Sequence, residues 1–155
     1  MGDKKQKCTS MDLSELYSQK ILDLAGNALS PPRLESPDAS ARKVSRVCGS
    51  TITVDLKVRD GVIVAYGHDL SACALGQTSA AVVAREIVGT PTVEFKEIRQ
   101  KMSAMLASNG TPPEGRWSDL GYLEPVRDYR ARHGSTLLVF DAVVDALDQI
   151  EAKAG

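Results

Sequence analysis

Strict alternation between apolar and polar residues marks the segment 51–59. Its apolar positions are Ile52, Val54, Leu56 and Val58. This pattern is typical of a β-strand with one buried face. The Asp60-Gly61 pair follows and favours a two-residue type I′ turn, because both central residues need a positive φ. The apolar run 62–66 then returns along the first strand, so the sequence predicts a β-hairpin.

The predicted hairpin brings two cysteines towards each other. A two-residue turn fixes the register, in which Leu56 faces Ala65, and the same register continued to the open end places Cys48 beside Cys73. Gly67 is expected to bend the return strand, so the two thiols are predicted to be adjacent rather than strictly opposed. The stretch 44–47 is expected to begin an edge strand that leads into Cys48.

Helical periodicity surrounds the hairpin on both sides. The Ser- and Pro-rich segment 27–41 interrupts it and predicts a loop or an extended crossing segment. The pattern favours an α+β fold in which helices pack on one face of a small antiparallel sheet made of the hairpin and an edge strand. The predicted helices run from Asp12 or Ser14 to Gly26, from Ser71 as N-cap to Gly89, from Pro91 to Gly110, from Leu123 to Arg130, and from Ser135 onward.

Composition narrows the functional classes. The chain has 155 residues, 43% of them hydrophobic, which suits a single domain over 12–155 after a mobile tail over 1–11. The net charge of −1 argues against a nucleic-acid or anionic-membrane surface. No apolar run approaches a membrane span, and the polar start lacks the apolar core of a signal peptide, so a cytoplasmic protein is expected.

Three cysteines are an odd number, and reducing conditions disfavour a structural disulfide. Cys8 lies in the predicted tail and is expected to have no role. Cys73 is predicted to lie in the first turn of a helix, where the helix dipole and unpaired N–H groups favour the thiolate. His133 is expected just ahead of the last helix, and with Cys48 and Cys73 it could form a metal site with one open position.

Other interpretations of these residues stay open. The two cysteines could be buried apolar residues, or Cys73 and His133 could form a nucleophilic pair without an identified orienting group. His68 and Asp69 could add a ligand, although a polar surface position is the simpler interpretation. Trp117 is expected to cover the core. No phosphate-binding, zincin or hydrolase motif is present in the sequence.

Four segments, in order, resemble one known family. They are LYSQKILDLAGN at 16–27, CGSTITVDLKVRDGVI at 48–63, ACALGQTSAAVVAREIVG at 72–89 and RHGSTLLVFDAVVDAL at 132–147. Together they look like the NifU N-terminal, IscU and SufU-type iron–sulfur cluster assembly scaffolds, and the similarity covers about residues 13–150. The resemblance implies a small α+β fold that is SufE/NifU-like. The most specific parts are the strand that opens with Cys-Gly and the helix that starts with Cys-Ala.

The resemblance implies a function and a ligand set. Members of the family receive sulfur from a cysteine desulfurase and iron from a donor, and they deliver a nascent cluster to acceptor proteins; some bind zinc at the same place. Cys48 matches the first ligand cysteine, Cys73 matches the second, and His133 matches the histidine that precedes the third cysteine in one branch. The resemblance therefore implies a non-enzymatic scaffold or carrier for iron or a transient iron–sulfur cluster, with zinc as the other cargo.

The chain departs from the family pattern at two positions. Ser50 stands where the family usually has an aspartate, and Gly134 stands where it has the third cysteine. The proline-rich chaperone-recognition motif of one branch is replaced by PVRDYRAR. Three hypotheses follow: a scaffold that binds its cargo weakly or shares it across a homodimer, a scaffold-like module that only docks to a cysteine desulfurase or another assembly partner, and an enzyme with a Cys73 nucleophile.

Overall fold

The computed structural model describes residues 18–28, 30–47 and 49–154, and it has the predicted α+β architecture. Three antiparallel strands form one sheet in the order β1-β2-β3, and the longest helix packs against β1 and β2. In chain order the elements are α1 (Gln19–Gly26), β1 (Ala39–Ser45), β2 (Ser50–Arg59), β3 (Val62–Ser71), α2 (Ala74–Glu86), α3 (Thr92–Ala107), a 3₁₀ helix (Gly115–Asp128) and α4 (Arg130–Ala154).

The hairpin turn is as predicted, and the predicted register holds for the two pairs next to it, Arg59 with Val62 and Val58 with Ile63, but not beyond them. Asp60 and Gly61 both have positive φ, 53° and 74°, as a type I′ turn requires. The register then shifts by one residue between Lys57 and Val58, so Leu56 pairs with Tyr66 and not with Ala65. A β-bulge of this kind adds one unpaired residue to one strand. The last paired residues are Thr51 and Ser71, and Cys48 lies outside the described residues.

Several helix boundaries also differ from the sequence-based prediction. α1 begins at Gln19 behind Ser18, whose Oγ accepts from the N–H of Ile21, whereas the predicted caps lie outside the described residues. α4 begins at Arg130, five residues before the predicted start, so Gly134 lies inside the helix. The short helix predicted over 123–130 is the end of a longer series of 3₁₀ turns. The predicted edge strand is present as β1, but it begins at Ala39 and not at residue 44.

One continuous core lies between the sheet and the helices. Trp117 is 3% exposed and contacts Phe95 edge-to-face, with ring centroids 5.8 Å apart, as expected for a residue that covers the core. On α3 Phe95 is buried in this core, whereas the neighbouring Val93 is exposed. The sheet and helix residues that share this core include Ile52, Val54, Leu56, Ile63, Leu75, Val83, Ile98, Met102, Met105, Phe140, Val143 and Leu147.

The predicted crossing segment covers the other face of the sheet. The N–H of His68 on β3 donates to the Pro31 carbonyl, and the N–H of Leu34 donates to the carboxylate of Asp55 on β2. Gly67 is regularly paired with Asp55 and does not bend the strand as expected. Its lack of a side chain instead allows the crossing segment to lie close to β3, because a Cβ at position 67 would lie 2.1 Å from the Pro32 carbonyl oxygen.

Replacing Gly67 by alanine is therefore expected to destabilise the protein by about 1–3 kcal/mol, since the added methyl group must displace backbone of the crossing segment. Gly26→Ala is the matched control, because a Cβ at Gly26 meets no heavy atom within 4 Å. Chemical denaturation of both variants measures the difference. Equal free energies of unfolding for the two variants would contradict the close packing of the crossing segment against β3.

Candidate thiolate site

Cys73 lies between the end of β3 and the start of α2. It is the N-cap residue of α2, with φ −68° and ψ 172°, and its side chain is half-buried. The predicted cap, Ser71, is instead the last residue of β3. The first N–H groups of a helix have no intrahelical partners, so the thiol of an N-cap residue is close to unpaired donors. This position gives Cys73 the helix-terminal environment expected for a thiolate.

Two buried serines connect the Cys73 thiol to the sheet. Cys73 Sγ lies 3.2 Å from Ser135 Oγ on α4, and Ser135 Oγ lies 3.1 Å from Ser50 Oγ at the start of β2. Ser135 is 0% exposed and Ser50 is 1% exposed. The three side chains thus form a hydrogen-bonded row from β2 through α4 to the N-cap of α2, which we call the serine relay.

The pKa of the Cys73 thiol is lower than that of an ordinary cysteine. Burial raises this pKa, but the hydrogen bond with Ser135 lowers it. The backbone N–H groups of Gly76 and Leu75 and the positive charge of Arg132 lower the pKa further, and together they outweigh burial. A lowered pKa increases the fraction of thiolate, the form that binds metals and acts as a nucleophile.

Gly76 allows α4 to approach the N-terminus of α2. A Cβ at position 76 would lie 2.8 Å from the Ala72 Cβ, 3.0 Å from Ser135 Oγ and 3.2 Å from the Ser135 carbonyl oxygen. Real Cβ atoms are not found closer than about 3 Å to other heavy atoms without a shift of one of them. The hydrogen bond between Ser135 and Cys73 therefore depends on glycine at position 76.

His133 lies within α4 and not ahead of it as predicted. Its Nε2 is 3.0 Å from the Val126 carbonyl oxygen and 3.1 Å from the Arg127 carbonyl oxygen. Both partners can only accept, so Nε2 must carry the proton and donate. The imidazole is thus turned towards the end of the 3₁₀ helix, where it lines a cavity of about 440 Å³ with Asn109 and Arg130 among its walls.

The structure brings Cys73 together with Ser135, not with His133. Residues two positions apart on a helix do not share a face, so the contact with Ser135 turns the side chain of His133 away. Within 18–28, 30–47 and 49–154, no group of three or more His, Cys, Asp or Glu residues could hold a metal ion. Cys48 and Cys8 lie outside these ranges. The ligand set of Cys48, Cys73 and His133 therefore stays a prediction.

The third cysteine of the family pattern would lie beside the serine relay, because Ser45 pairs with Ser50 across β1 and β2. A Cβ at Gly134 would lie 3.1 Å from Ser45 Oγ, at the end of β1. Ser45 is 8% exposed. A side chain at position 134 would thus point to the edge of the sheet next to the serine relay. In this chain the residue is glycine, so no ligand atom lies there.

His68 is buried, which corrects the expectation of a polar surface position. It is 8% exposed, and its Nδ1 lies 2.7 Å from the hydroxyl of Tyr66, which is itself buried. Burial lowers the pKa of His68. The register shift places Tyr66 and His68 on the core face of β3, opposite Leu56 and Val54. Asp69, on the other face, is exposed.

Sequence reasoning missed the two serines that contact the site. Ser50 has the same parity as Ile52, Val54 and Leu56, so its position on the buried face of β2 could have been predicted from the alternation. Ser135 carried no such signal, since its direction depends on where α4 begins and how the helix is rotated on the sheet. Its partnership with Cys73 is a long-range contact that only the fold creates.

Comparison with known proteins identifies close structural and sequence relatives. The solved structure of the N-terminal part of a nitrogen-fixing NifU-like protein from Brucella abortus is 50% identical, covers 92% of this chain and 99% of that one, and superposes with a TM-score of 0.89. The iron–sulfur cluster assembly scaffold protein IscU of Thermotoga maritima is 25% identical over 135 residues, which are 87% of this chain and 94% of its own.

A third relative shows the same fold at lower identity. A SufU protein from Fervidobacterium islandicum, described as a scaffold for the SUF system, is 21% identical, covers 86% of this chain and 98% of that one, and has a TM-score of 0.78. No family model matches the chain. Among the helices of the described residues, none is both long and apolar enough to cross a membrane. The extent and identity of the match to the NifU-like structure show that the chain belongs to the NifU, IscU and SufU-type family of iron–sulfur cluster assembly scaffolds.

Proposed function

We propose that this protein is a non-enzymatic scaffold or carrier that holds iron or a nascent iron–sulfur cluster and passes it to acceptor proteins. The observation that carries the proposal is the environment of Cys73, a half-buried thiol at a helix N-terminus whose pKa is lowered. Thiolates are the preferred ligands of iron–sulfur clusters and of zinc. Half-burial protects a bound cluster while leaving the sulfur accessible to a donor or an acceptor.

Cys48 is the second proposed ligand. It precedes Ser50 by two residues, and Ser50 is joined through Ser135 to Cys73. The serine relay therefore ties the start of β2 to the N-cap of α2, which supports a site to which positions 48 and 73 both contribute. A single thiolate cannot hold a cluster, so the proposal requires this second sulfur.

His133 is the proposed third ligand, through Nδ1. Metal-bound histidines usually donate their other ring N–H to a carboxylate or a backbone carbonyl, and the two carbonyls at Val126 and Arg127 already hold Nε2–H in this way. Ligation by His133 requires the imidazole to reach the Cys73 side of α4.

The proposed site has few ligands, and this suits a carrier. Ser50 and Gly134 supply neither of the two further ligands found in the family pattern. A site with two thiolates and one imidazole leaves a coordination position open, which a donor or acceptor protein, or a second copy of this chain, could fill. The proposed partners are accordingly a cysteine desulfurase as the sulfur source and acceptor proteins for the finished cluster.

Anaerobic reconstitution with iron(II), sulfide and a thiol reductant tests the proposal. The expected result is iron and sulfide that stay with the protein through gel filtration, with the visible absorption of a thiolate-bound cluster. Elemental analysis of protein purified without oxygen distinguishes iron from zinc as the resident cargo. Absence of bound metal under both conditions would refute the scaffold proposal.

A second function is favoured by the same departures from the family pattern. Gly134 and Ser50 remove two ligands, and His133 faces the 3₁₀ helix, so the chain could serve as a docking module for a cysteine desulfurase without holding a cluster. This function predicts that a Cys48→Ala/Cys73→Ala variant binds the desulfurase with unchanged affinity while wild type retains no iron. If wild type retains iron and the double variant does not, the result favours the scaffold function.

A further inference from the structure

We propose that Ser135, supported by Ser50, is a positioning residue that donates a hydrogen bond to the sulfur of Cys73 and thereby tunes the cluster or metal ion that Cys73 holds. The first part of this proposal concerns the protein without cargo and is independent of its function. The second part, the effect on a bound cluster, rests on the proposed scaffold function.

The geometry of the serine relay supports a directed hydrogen bond. The separations of 3.2 Å between Cys73 Sγ and Ser135 Oγ and of 3.1 Å between Ser135 Oγ and Ser50 Oγ fall within hydrogen-bonding distance. Both hydroxyl groups are buried, so bulk water does not compete for them. Each hydroxyl has one proton to donate and can accept as well.

The chemistry of a ligating sulfur sets the direction of the relay. A thiolate, free or bound to a metal, has no proton and can only accept. Ser135 must then donate its single proton to Cys73, and its oxygen is left to accept from Ser50. The relay runs in one direction, from Ser50 through Ser135 to the sulfur, and each hydrogen bond polarises the next.

The fold holds Ser135 in this position from two sides. Gly76 leaves room for the Ser135 hydroxyl, since a Cβ there would lie 3.0 Å from Oγ. Ser135 also lies inside α4, which is anchored against β1 and β2. The donor is therefore part of two packed elements and not of a loop, so its distance from the sulfur is set by the tertiary structure.

Hydrogen bonds to cluster sulfurs and solvent exposure are among the features that set the reduction potential of an iron–sulfur cluster. A donor withdraws electron density from the ligating sulfur, which stabilises the reduced cluster. Removing the donor is expected to lower the potential. Ser135→Ala should therefore shift the midpoint to a more negative value, and Ser50→Ala should shift it in the same direction by less.

A double-mutant cycle on the cargo-free protein tests the contact itself. The free energy of unfolding is measured for wild type, Ser135→Ala, Cys73→Ala and the double variant. The expected result is non-additivity, with the double variant less destabilised than the sum of the single variants, because either single change already breaks the hydrogen bond. Strict additivity would overturn the proposal, whether or not the protein binds a cluster.

Ser79→Ala is the matched control for the loss of a buried hydroxyl. Ser79 lies on α2, is 0% exposed, and its Oγ has no hydrogen-bond partner in the part of the chain that the structure describes. The effects of Ser79→Ala and Cys73→Ala on the free energy of unfolding should be additive. If Ser135→Ala does not fold, the cycle is run with Ser50→Ala and Cys73→Ala, and additivity in that cycle would equally overturn the relay.

The loaded protein provides the second readout. The midpoint potential of the reconstituted cluster is measured by anaerobic titration in wild type, Ser135→Ala, Ser50→Ala and Ser79→Ala. A graded negative shift for the first two variants and none for Ser79→Ala supports the proposal; equal potentials in all four overturn its second part. If wild type assembles no cluster, the scaffold function fails, and the cargo-free cycle still decides whether Ser135 positions Cys73.

Discussion

Cys73→Ala is expected to abolish the retention of iron by this protein, with a loss of affinity of about 100-fold or more. Changes to groups that merely support a ligand typically cost 10–100-fold in metal affinity, and removal of a ligating sulfur should cost at least as much. The reason lies in the environment of Cys73, whose sulfur is at a helix N-terminus, is hydrogen-bonded to the Ser135 hydroxyl and is partly accessible to solvent. No other described cysteine is available to replace it.

The measurement is bound iron per protein after anaerobic reconstitution and gel filtration, together with circular dichroism to show that the variant is folded. Cys8→Ala is the matched control, since the sequence predicts that this cysteine lies in an N-terminal tail, and the variant should retain iron as wild type does. Cys48→Ala should behave like Cys73→Ala. Full retention by Cys73→Ala would exclude the proposed ligand set, whatever the protein binds.

Asp55→Ala is expected to destabilise the protein by about 2–4 kcal/mol. Asp55 is fully buried on β2 and accepts two hydrogen bonds from the guanidinium of Arg33, at 2.6 and 3.1 Å. It accepts two more, from the Leu34 N–H at 2.9 Å and from the Ser40 hydroxyl. Its removal leaves these donors without their partner and releases the crossing segment from the sheet.

The Arg33 side chain is 50% exposed, so its charge can be solvated after the substitution. For this reason the expected loss lies below that of a fully buried ion pair. Thermal unfolding should shift down by about 4–16 °C for a chain of this size. Asp69→Ala is the control, since Asp69 is an exposed carboxylate on the same face of the sheet, and its loss should cost no more than about 0.5 kcal/mol.

The Asp55 carboxylate should make the free energy of unfolding depend on pH in the acid range. Burial raises the pKa of Asp55, but the bonds from Arg33 and Ser40 and from the Leu34 N–H lower it by more, so the folded-state pKa lies below the usual value. The unfolded chain, with a pKa of about 3.9, then takes up the proton first. The stabilisation is complete above that pH and is lost as the pH falls through the folded-state pKa. Asp55→Asn should abolish this part of the acid dependence.

Local chemistry explains which features could be predicted. The positive φ values of Asp60 and Gly61 belong to the turn itself, and the alternation from Ile52 to Val58 belongs to one strand. The end of α1 at Gly26 and the start of α3 at Thr92 follow from residues within a few positions of those ends. These features can be predicted without knowing any contact between residues that are far apart in the sequence.

The errors in prediction come from contacts between distant residues. The bulge beside Val58 occurs where β3 also pairs with the segment after α2, through Ile63 and Thr90, so the turn alone does not set the register. The register in turn buries His68, for which the sequence favours a polar surface position. The early start of α4 places His133 within the helix and turns it to the 3₁₀ helix.

The sequence by itself determined the elements of this protein, its hairpin turn, its α+β class and its family, because periodicity, turn residues and ordered motifs are properties of short segments. Only the tertiary structure decided what surrounds the Cys73 thiol. The serine relay joins positions 50, 73 and 135, which meet because α4 packs across the sheet and Gly76 lets it approach. Such a meeting depends on strand register and helix rotation, and neither is encoded in any one segment.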